Sequence, residues 1–182
     1  MSARVDVGAA SVPDVRASAA DRDAIRDFLF EEARVLDEGE PGRWLGMLAP
    51  DIRYLMPTRP SLQRRDRARA AQPRMALYDD DLAMLERRVA RMVHPTAWSE
   101  NPATRMVRQV TNVEAFTTDS PDAWRVHSVV TLYRNRNETE QDLVFARRDD
   151  LVRRGPDGLR LARREIRIAQ NTLLSKNLNA FL

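Results

Sequence analysis

The run Leu159-Arg160-Leu161-Ala162-Arg163-Arg164-Glu165-Ile166-Arg167-Ile168 sets apolar residues at 159, 161, 166 and 168 among arginines at 160, 163, 164 and 167. Side chains of an extended chain point alternately to the two faces of a sheet, so this mixture reads as a half-buried strand. Three earlier segments have the same period-two or β-branched character, at about 105–116, 124–136 and 141–154. Turn material separates the four: Thr117 to Asp122, Asn135 to Glu140, and Gly155-Pro156-Asp157-Gly158. Consecutive strands joined by short turns predict an antiparallel meander with one buried face.

The N-terminal half has a different period. Ile25, Phe28, Leu29, Ala33 and Leu36 recur at helical spacing with Asp27, Glu31 and Glu32 interspersed, which predicts an amphipathic helix from near Asp21 to Gly39. Pro41 suits the first turn of a second helix carrying Trp44, Leu45 and Leu48 on one face, with Pro50 as its stop. Ile52, Tyr54 and Met56 then alternate with Asp51, Arg53 and Leu55 in a short strand closed by Pro57. Residues 57–77 form a long irregular stretch with the run Arg64-Arg65-Asp66-Arg67-Ala68-Arg69, either an arm for a partner or a solvated loop. Asp79-Asp80-Asp81 is read as the acidic start of a third helix. Leu82, Leu85, Val89, Met92 and Val93 form its apolar stripe, with Glu86, Arg87 and Arg88 outward. A calcium loop is the weaker reading of these aspartates, because it needs acids at alternating positions and a turning glycine. Residues 171–178 suggest a short turn or tail.

Helices first and strands later is an α+β order, with N-terminal helices packed on a curved, mostly antiparallel sheet in a cystatin-like cone. Residues 1–20 are expected to be a mobile tail and residues 21–182 a single domain, a length that suits one core.

Composition narrows the chemistry. Cysteine is absent, which removes disulfides, thiol nucleophiles, Cys-ligated zinc and iron–sulfur clusters, the Rieske type included. Only His94 and His127 could supply imidazole, far apart in sequence, so a two-His-one-carboxylate iron site is poorly supported. The net charge of +3 and a pI near 9.9 suggest nucleic acid at first. Yet the 27 acids are interleaved with the arginines, and Lys176 is the one lysine among 30 basic residues. Arginine's planar fork suits interface ion pairs, so the pattern favours a protein partner over nucleic acid. No apolar run approaches the roughly 20 residues of a membrane span, and the first twenty residues lack the features of a signal or transit peptide. A cytoplasmic protein is expected.

Two constellations are candidates for function. Trp98, Glu100, Asn101 and Arg105 could form a partner interface, since Trp and Arg are enriched at hot spots and Asn101-Pro102 suggests a turn that presents them. Alternatively Trp98 plugs the cone and Glu100 pairs with Arg105 internally. Tyr54, His94, His127 and Asp51 are the residues from which an acid–base site inside a cone would be built. Tyr54 and His127 sit in strands whose patterns fit either facing, and His127, alternating with Arg125 and Val129, reads as a satisfied or half-exposed histidine rather than a base.

Several segments resemble the small (β) subunits of aromatic-ring-hydroxylating dioxygenases. They are Phe28-Leu29-Phe30-Glu31-Glu32-Ala33-Arg34-Val35-Leu36-Asp37; Trp44-Leu45-Gly46-Met47-Leu48 running into Asp51-Ile52-Arg53-Tyr54-Leu55-Met56-Pro57; Arg88-Val89-Ala90-Arg91 through Ala97-Trp98-Ser99-Glu100-Asn101-Pro102-Ala103-Thr104-Arg105 to Asn112-Val113; Arg147-Arg148-Asp149-Asp150-Leu151-Val152-Arg153-Arg154; and Asn177-Leu178. Together they span about residues 25 to 182 in the family's order. Ala146, where a glycine often stands, and Asn179-Ala180, in place of the usual Ser-Ile, depart from the pattern. The resemblance implies an NTF2/cystatin-like fold and no catalytic, cofactor-binding or metal-binding residues in this chain. It also implies a large (α) partner subunit carrying a Rieske 2Fe-2S cluster and mononuclear Fe(II), in a hexamer of three large and three small subunits with contacts among the small ones. Such a complex adds both atoms of O2 to an aromatic ring, giving a cis-dihydrodiol with electrons from NADH. A free-standing isomerase or dehydratase of the same fold, and a nucleic-acid module using Arg64 to Arg74, are the rival readings.

Overall fold

The computed structural model describes residues 15–58, 76–94, 104–170 and 178–182. The first helix, α1 (Ala19–Asp37), is capped by Ser18, whose hydroxyl accepts from the Asp21 amide. It ends before Gly39, whose φ of 74° is the left-handed geometry that glycine adopts without penalty. The fold begins before residue 21: the Ala17 and Thr117 amides donate to the carbonyls of Ala115 and Val15. Helix α2 (Pro41–Leu45) has proline in its first turn, as expected, but stops at Gly46. Leu48 and Pro50 belong instead to β1 (Leu48–Pro57). Proline is tolerated near the start of a strand, so Pro50 does not end the previous element there.

Strand β2 (Ala76–Asp80) corrects the reading of the three aspartates. Asp79 and Asp80 are strand residues, paired with Leu55 and Tyr54 of β1. Asp81 alone caps α3 (Leu82–Met92), its side chain accepting from the Met84 amide at 2.8 Å. Leu85 and Val89 face the core, whereas Val93 is exposed. Arg88 does not point outward: it forks onto buried Asp80 and lies over the Tyr78 ring. The four long strands follow as expected: β3 (Arg105–Thr117), β4 (Ala123–Arg136), β5 (Glu140–Gly155) and β6 (Gly158–Ile168). Each observed end is within one residue of the predicted one.

The sheet order is β2-β1-β6-β5-β4-β3. All pairings are antiparallel except β1 with β6, which closes the meander onto the N-terminal hairpin. The inner face carries Trp124, Val126, Val130 and Leu132 of β4, Val144, Ala146 and Val152 of β5, and Leu161 and Ile166 of β6, all buried. Helices α1 and α2 pack there through Ile25, Leu29 and Trp44 in one continuous core. Ala146 sits in ordinary extended backbone opposite Ile168, so this alanine meets no strain.

The aspartate run gives a ranked stability test in urea. Asp79→Ala should cost little, because its pair with Arg53 is exposed. Asp81→Ala should cost about 1 kcal/mol, the usual loss for an N-cap. Asp80→Ala, which strips a buried acceptor from Arg88, should cost about 2 kcal/mol. Equal losses at all three positions would contradict the assignment.

Candidate functional site

Even-numbered positions of β4 and β5 point inward, and that parity carries Ser128, Arg148 and Asp150 into the core along with the apolar residues. Arg164 shares the inward parity of Ile166 on β6. One turn of α1 supplies Glu32, buried between Leu29 and Ala33. These residues meet. The Arg164 guanidinium donates Nη1 and Nη2 to Glu32 at 2.7 and 2.8 Å, and Nε and Nη2 to Asp150 at 2.9 and 2.8 Å. Its remaining Nη1 hydrogen reaches the Leu182 carbonyl at 3.2 Å. All five N–H donors of a fully buried arginine are thereby used. Glu32 also accepts from the Trp44 indole at 3.0 Å and from Arg148 Nη1 at 3.5 Å, while Arg148 Nε donates to Ser128.

Two carboxylates against two guanidiniums make the cluster neutral in sum. Removing each ion from water costs several kcal/mol, which only paired, hydrogen-bonded geometry offsets. Burial by itself would raise the Glu32 pKa, but the charges of Arg164 and Arg148 and hydrogen bonds from Arg164 and Trp44 more than reverse that, leaving it below the ordinary glutamate range. Burial lowers Arg148, and repulsion from Arg164 adds to this, bringing it down to about 10. It still carries its charge at neutral pH. Arg164 is raised, because Asp150 and Glu32 overcome its desolvation.

Beside the cluster lies an aromatic group. Phe181 stacks on Trp44 with ring centroids 4.3 Å apart, and Tyr54 and Tyr78 stand edge-on to it at 6.2 and 6.5 Å. The Tyr54 hydroxyl donates to the Leu182 carbonyl and accepts from the Leu182 amide; Tyr78 donates to the Leu178 carbonyl. Burial pushes the Tyr54 phenol up, so it stays protonated. Residues 180–182 therefore fill the cone; the turn or tail expected over residues 171–178 lies, up to residue 177, outside the described residues.

The acid–base candidates do not converge. Tyr54 is inside, fully buried. Asp51 is on the outer surface of β1, paired with Arg153. His127 lies on the outer face of β4, half-buried, its Nδ1 3.7 Å from Asp149. His94 is exposed beyond the end of α3. Of the interface candidates, Trp98, Glu100 and Asn101 lie outside the described residues, as does the arginine run of residues 64–74. Arg105 is exposed at the start of β3. Among the described residues, no three His, Cys, Asp or Glu side chains form a group that could hold a metal, and no helix is long and apolar enough to cross a membrane.

The outer face has a feature that the sequence reading passed over. Val107, Tyr133 and Leu143 stand directly opposite one another on β3, β4 and β5, with Phe145 two residues further along β5. All four are exposed, at 56, 39, 49 and 43 %. Arg105, two residues from Val107 on the same face, borders this row. Period two gave the signal: these apolar residues occupy odd positions, beside Met106, Leu132, Val144 and Ala146 at even positions of the same strands.

Comparison with known proteins agrees with this architecture. The family described as "Ring hydroxylating beta subunit" matches residues 31–175. The chain is 35% identical over 161 residues to the biphenyl 2,3-dioxygenase subunit beta of Rhodococcus jostii strain RHA1, covering 86% of each protein. It superimposes on a chain of naphthalene 1,2-dioxygenase, solved with indole in the active site, with a TM-score of 0.85 and 25% identity, covering 91% of this chain and 88% of that one. A putative scytalone dehydratase from Novosphingobium aromaticivorans shares the fold, with a TM-score of 0.63 at 14% identity, over 87% of this chain and 90% of the other.

The cluster makes its own prediction. Glu32→Gln leaves Arg164 and Arg148 short of a buried counter-charge and should cost about 3 to 5 kcal/mol in urea denaturation at neutral pH. A depressed carboxylate stabilises above its unfolded pKa and loses that contribution as pH falls through the folded one. The gap between wild type and Glu32→Gln should thus be full at neutral pH and shrink on acidification below about pH 4. A gap independent of pH would show that Glu32 is not held as a carboxylate.

Proposed function

The chain belongs to the ring hydroxylating beta subunit family, and we propose that it serves there as a structural, non-catalytic subunit. Its partner is a large (α) subunit that carries the Rieske 2Fe-2S cluster and mononuclear Fe(II). The assembly, three large and three small subunits with small subunits in mutual contact, adds both atoms of O2 to an aromatic ring. NADH and a proton supply the reducing equivalents, and the product is a cis-dihydrodiol. The setting is cytoplasmic, and the isolated chain is inactive.

The observation that carries this reading is the state of the cone. Among the described residues the inner face offers no acid–base pair facing open space: Glu32, Asp150, Arg164 and Tyr54 have their hydrogen-bonding groups directed at one another and at residue 182. A free-standing isomerase or dehydratase would need such a pair beside room for a substrate. The outer face supports docking. An exposed row of Val107, Tyr133, Leu143 and Phe145, bordered by Arg105, has the apolar centre and charged rim of protein interfaces. Trp98, Glu100 and Asn101 are proposed to extend it.

Two measurements test the role. The chain purified alone should contain no iron and turn over no aromatic substrate, and the complex with the large subunit should contain iron and turn substrate over; iron or turnover in the isolated chain would refute the structural role. Tyr133→Glu combined with Leu143→Arg, opposite charges across one strand pair, should abolish co-purification while leaving the chain's own stability within about 1 kcal/mol. Retained assembly would place the interface elsewhere.

A further inference from the structure

Phe181 occupies its surroundings as a ligand occupies a site. Its ring is enclosed by Trp44 of α2, Tyr54 of β1 and Tyr78 of β2, one face stacked and two edges met. Its carbonyl, which ends a ring–CH2–CH–C=O unit, receives both Nε and Nη2 of Arg108 at 3.0 and 2.9 Å. That edge of a guanidinium has two parallel donors and matches the two oxygens of a carboxylate, so a single carbonyl oxygen leaves the match incomplete. The guanidinium is set without Phe181: Asp37 takes Arg108 Nη1 on one carboxylate oxygen and the Arg108 amide on the other. Arg108 is itself buried, with its side chain 4 % exposed.

We propose that this site has the shape and chemistry for a 3-phenylpropanoate-type acid, a ring two carbons from a carboxylate, and that residues 180–182 hold it closed in cis. Two further donors face the place that the segment fills. Tyr54 Oη and one Nη1 hydrogen of Arg164 both meet Leu182. Without residues 180–182 these buried groups lack an acceptor, a loss that favours an anionic ligand. A groove of about 640 Å³ between α1 and β3, lined by Phe30, Ala33, Asp37, Arg108 and Val110, borders Arg108. In the intact chain the tethered Phe181 competes at an effective concentration of order millimolar, which keeps free acid out. The inference does not depend on the subunit role.

The test uses the full chain and a variant lacking residues 180–182, followed by calorimetry and thermal shift. The shortened variant should bind 3-phenylpropanoate saturably and gain melting temperature, and the intact chain should do neither. Propanoate, which has no ring, should fail. Adding Arg108→Gln should weaken binding by about tenfold or more, as expected for a charged hydrogen-bond pair. Absence of saturable binding by the folded shortened variant, equal binding of propanoate, or indifference to Arg108→Gln would each overturn the proposal. Should the shortened variant fail to fold, Phe181→Ala in the full chain opens the ring space but keeps the backbone carbonyl on Arg108. It should then bind toluene and not 3-phenylpropanoate; failure to bind toluene, or binding of the acid as well, would overturn the assignment.

Discussion

Arg164 lies fully buried with every one of its N–H groups engaged, and the placement of α1 and of the final residues against the sheet follows from that. Its partners come from α1 (Glu32), β5 (Asp150) and the segment at residue 182, so one side chain fixes the helix against the sheet and the final residues against both. Within the cluster only Arg148 Nη2 lacks a hydrogen-bond partner among the described residues; the other donors and carboxylates are matched, and an unmatched one in a low-dielectric interior costs more than an apolar residue would. The helix must therefore sit at one rotation and one height on the sheet. Apolar contacts such as Leu29 and Ile166 supply most of the burial energy but would permit sliding. The ionic contacts do not.

This arrangement turns most of the buried polar groups of the described residues toward one another. Glu32, Asp150 and Arg164 inside the cone point at one another, and Arg148 joins them through Glu32. What remains available lies outside, where an apolar row crosses three strands and arginine borders it. A chain without cysteine, with two separated histidines, has little with which to bind iron. Its place in the family is consistent with a subunit whose value is a rigid, pre-shaped surface. Rigidity is what the buried cluster confers.

Much of this was legible in the sequence, for physical reasons. The four long strands carry period-two patterns and glycine, asparagine or proline turns, both local properties, so their ends were placed closely. The α1 stripe was equally plain, because its apolar residues repeat at helical spacing. Harder was the meaning of charge. Glu32, Arg148, Asp150 and Arg164 look like solvated residues in a sequence dense with arginine and acid. Strict parity within β5 and β6 would have put Arg148, Asp150 and Arg164 inward with Val144, Val152 and Ile166, but only if a buried charge were entertained. Strand β2 is short and follows a long irregular stretch, so the aspartates at its end read as a helix start; a strand that short is set by its neighbour β1. Residues 180–182 gave no period at all. Their burial depends on Tyr54, Trp44 and Arg164, which are remote in sequence. Trp98, Glu100 and Asn101, the best-marked interface residues in the sequence, lie outside the described residues.

The central claim is that Glu32 and Arg164 act as one unit that locks helix to sheet. A double-mutant cycle measures that directly: Glu32→Gln, Arg164→Met and the pair, each unfolded in urea at neutral pH. The account predicts strong coupling, with the double variant more stable than the sum of single losses allows by about 2 kcal/mol or more. Losses that add to within about 0.5 kcal/mol would contradict it, because independent sites behave that way.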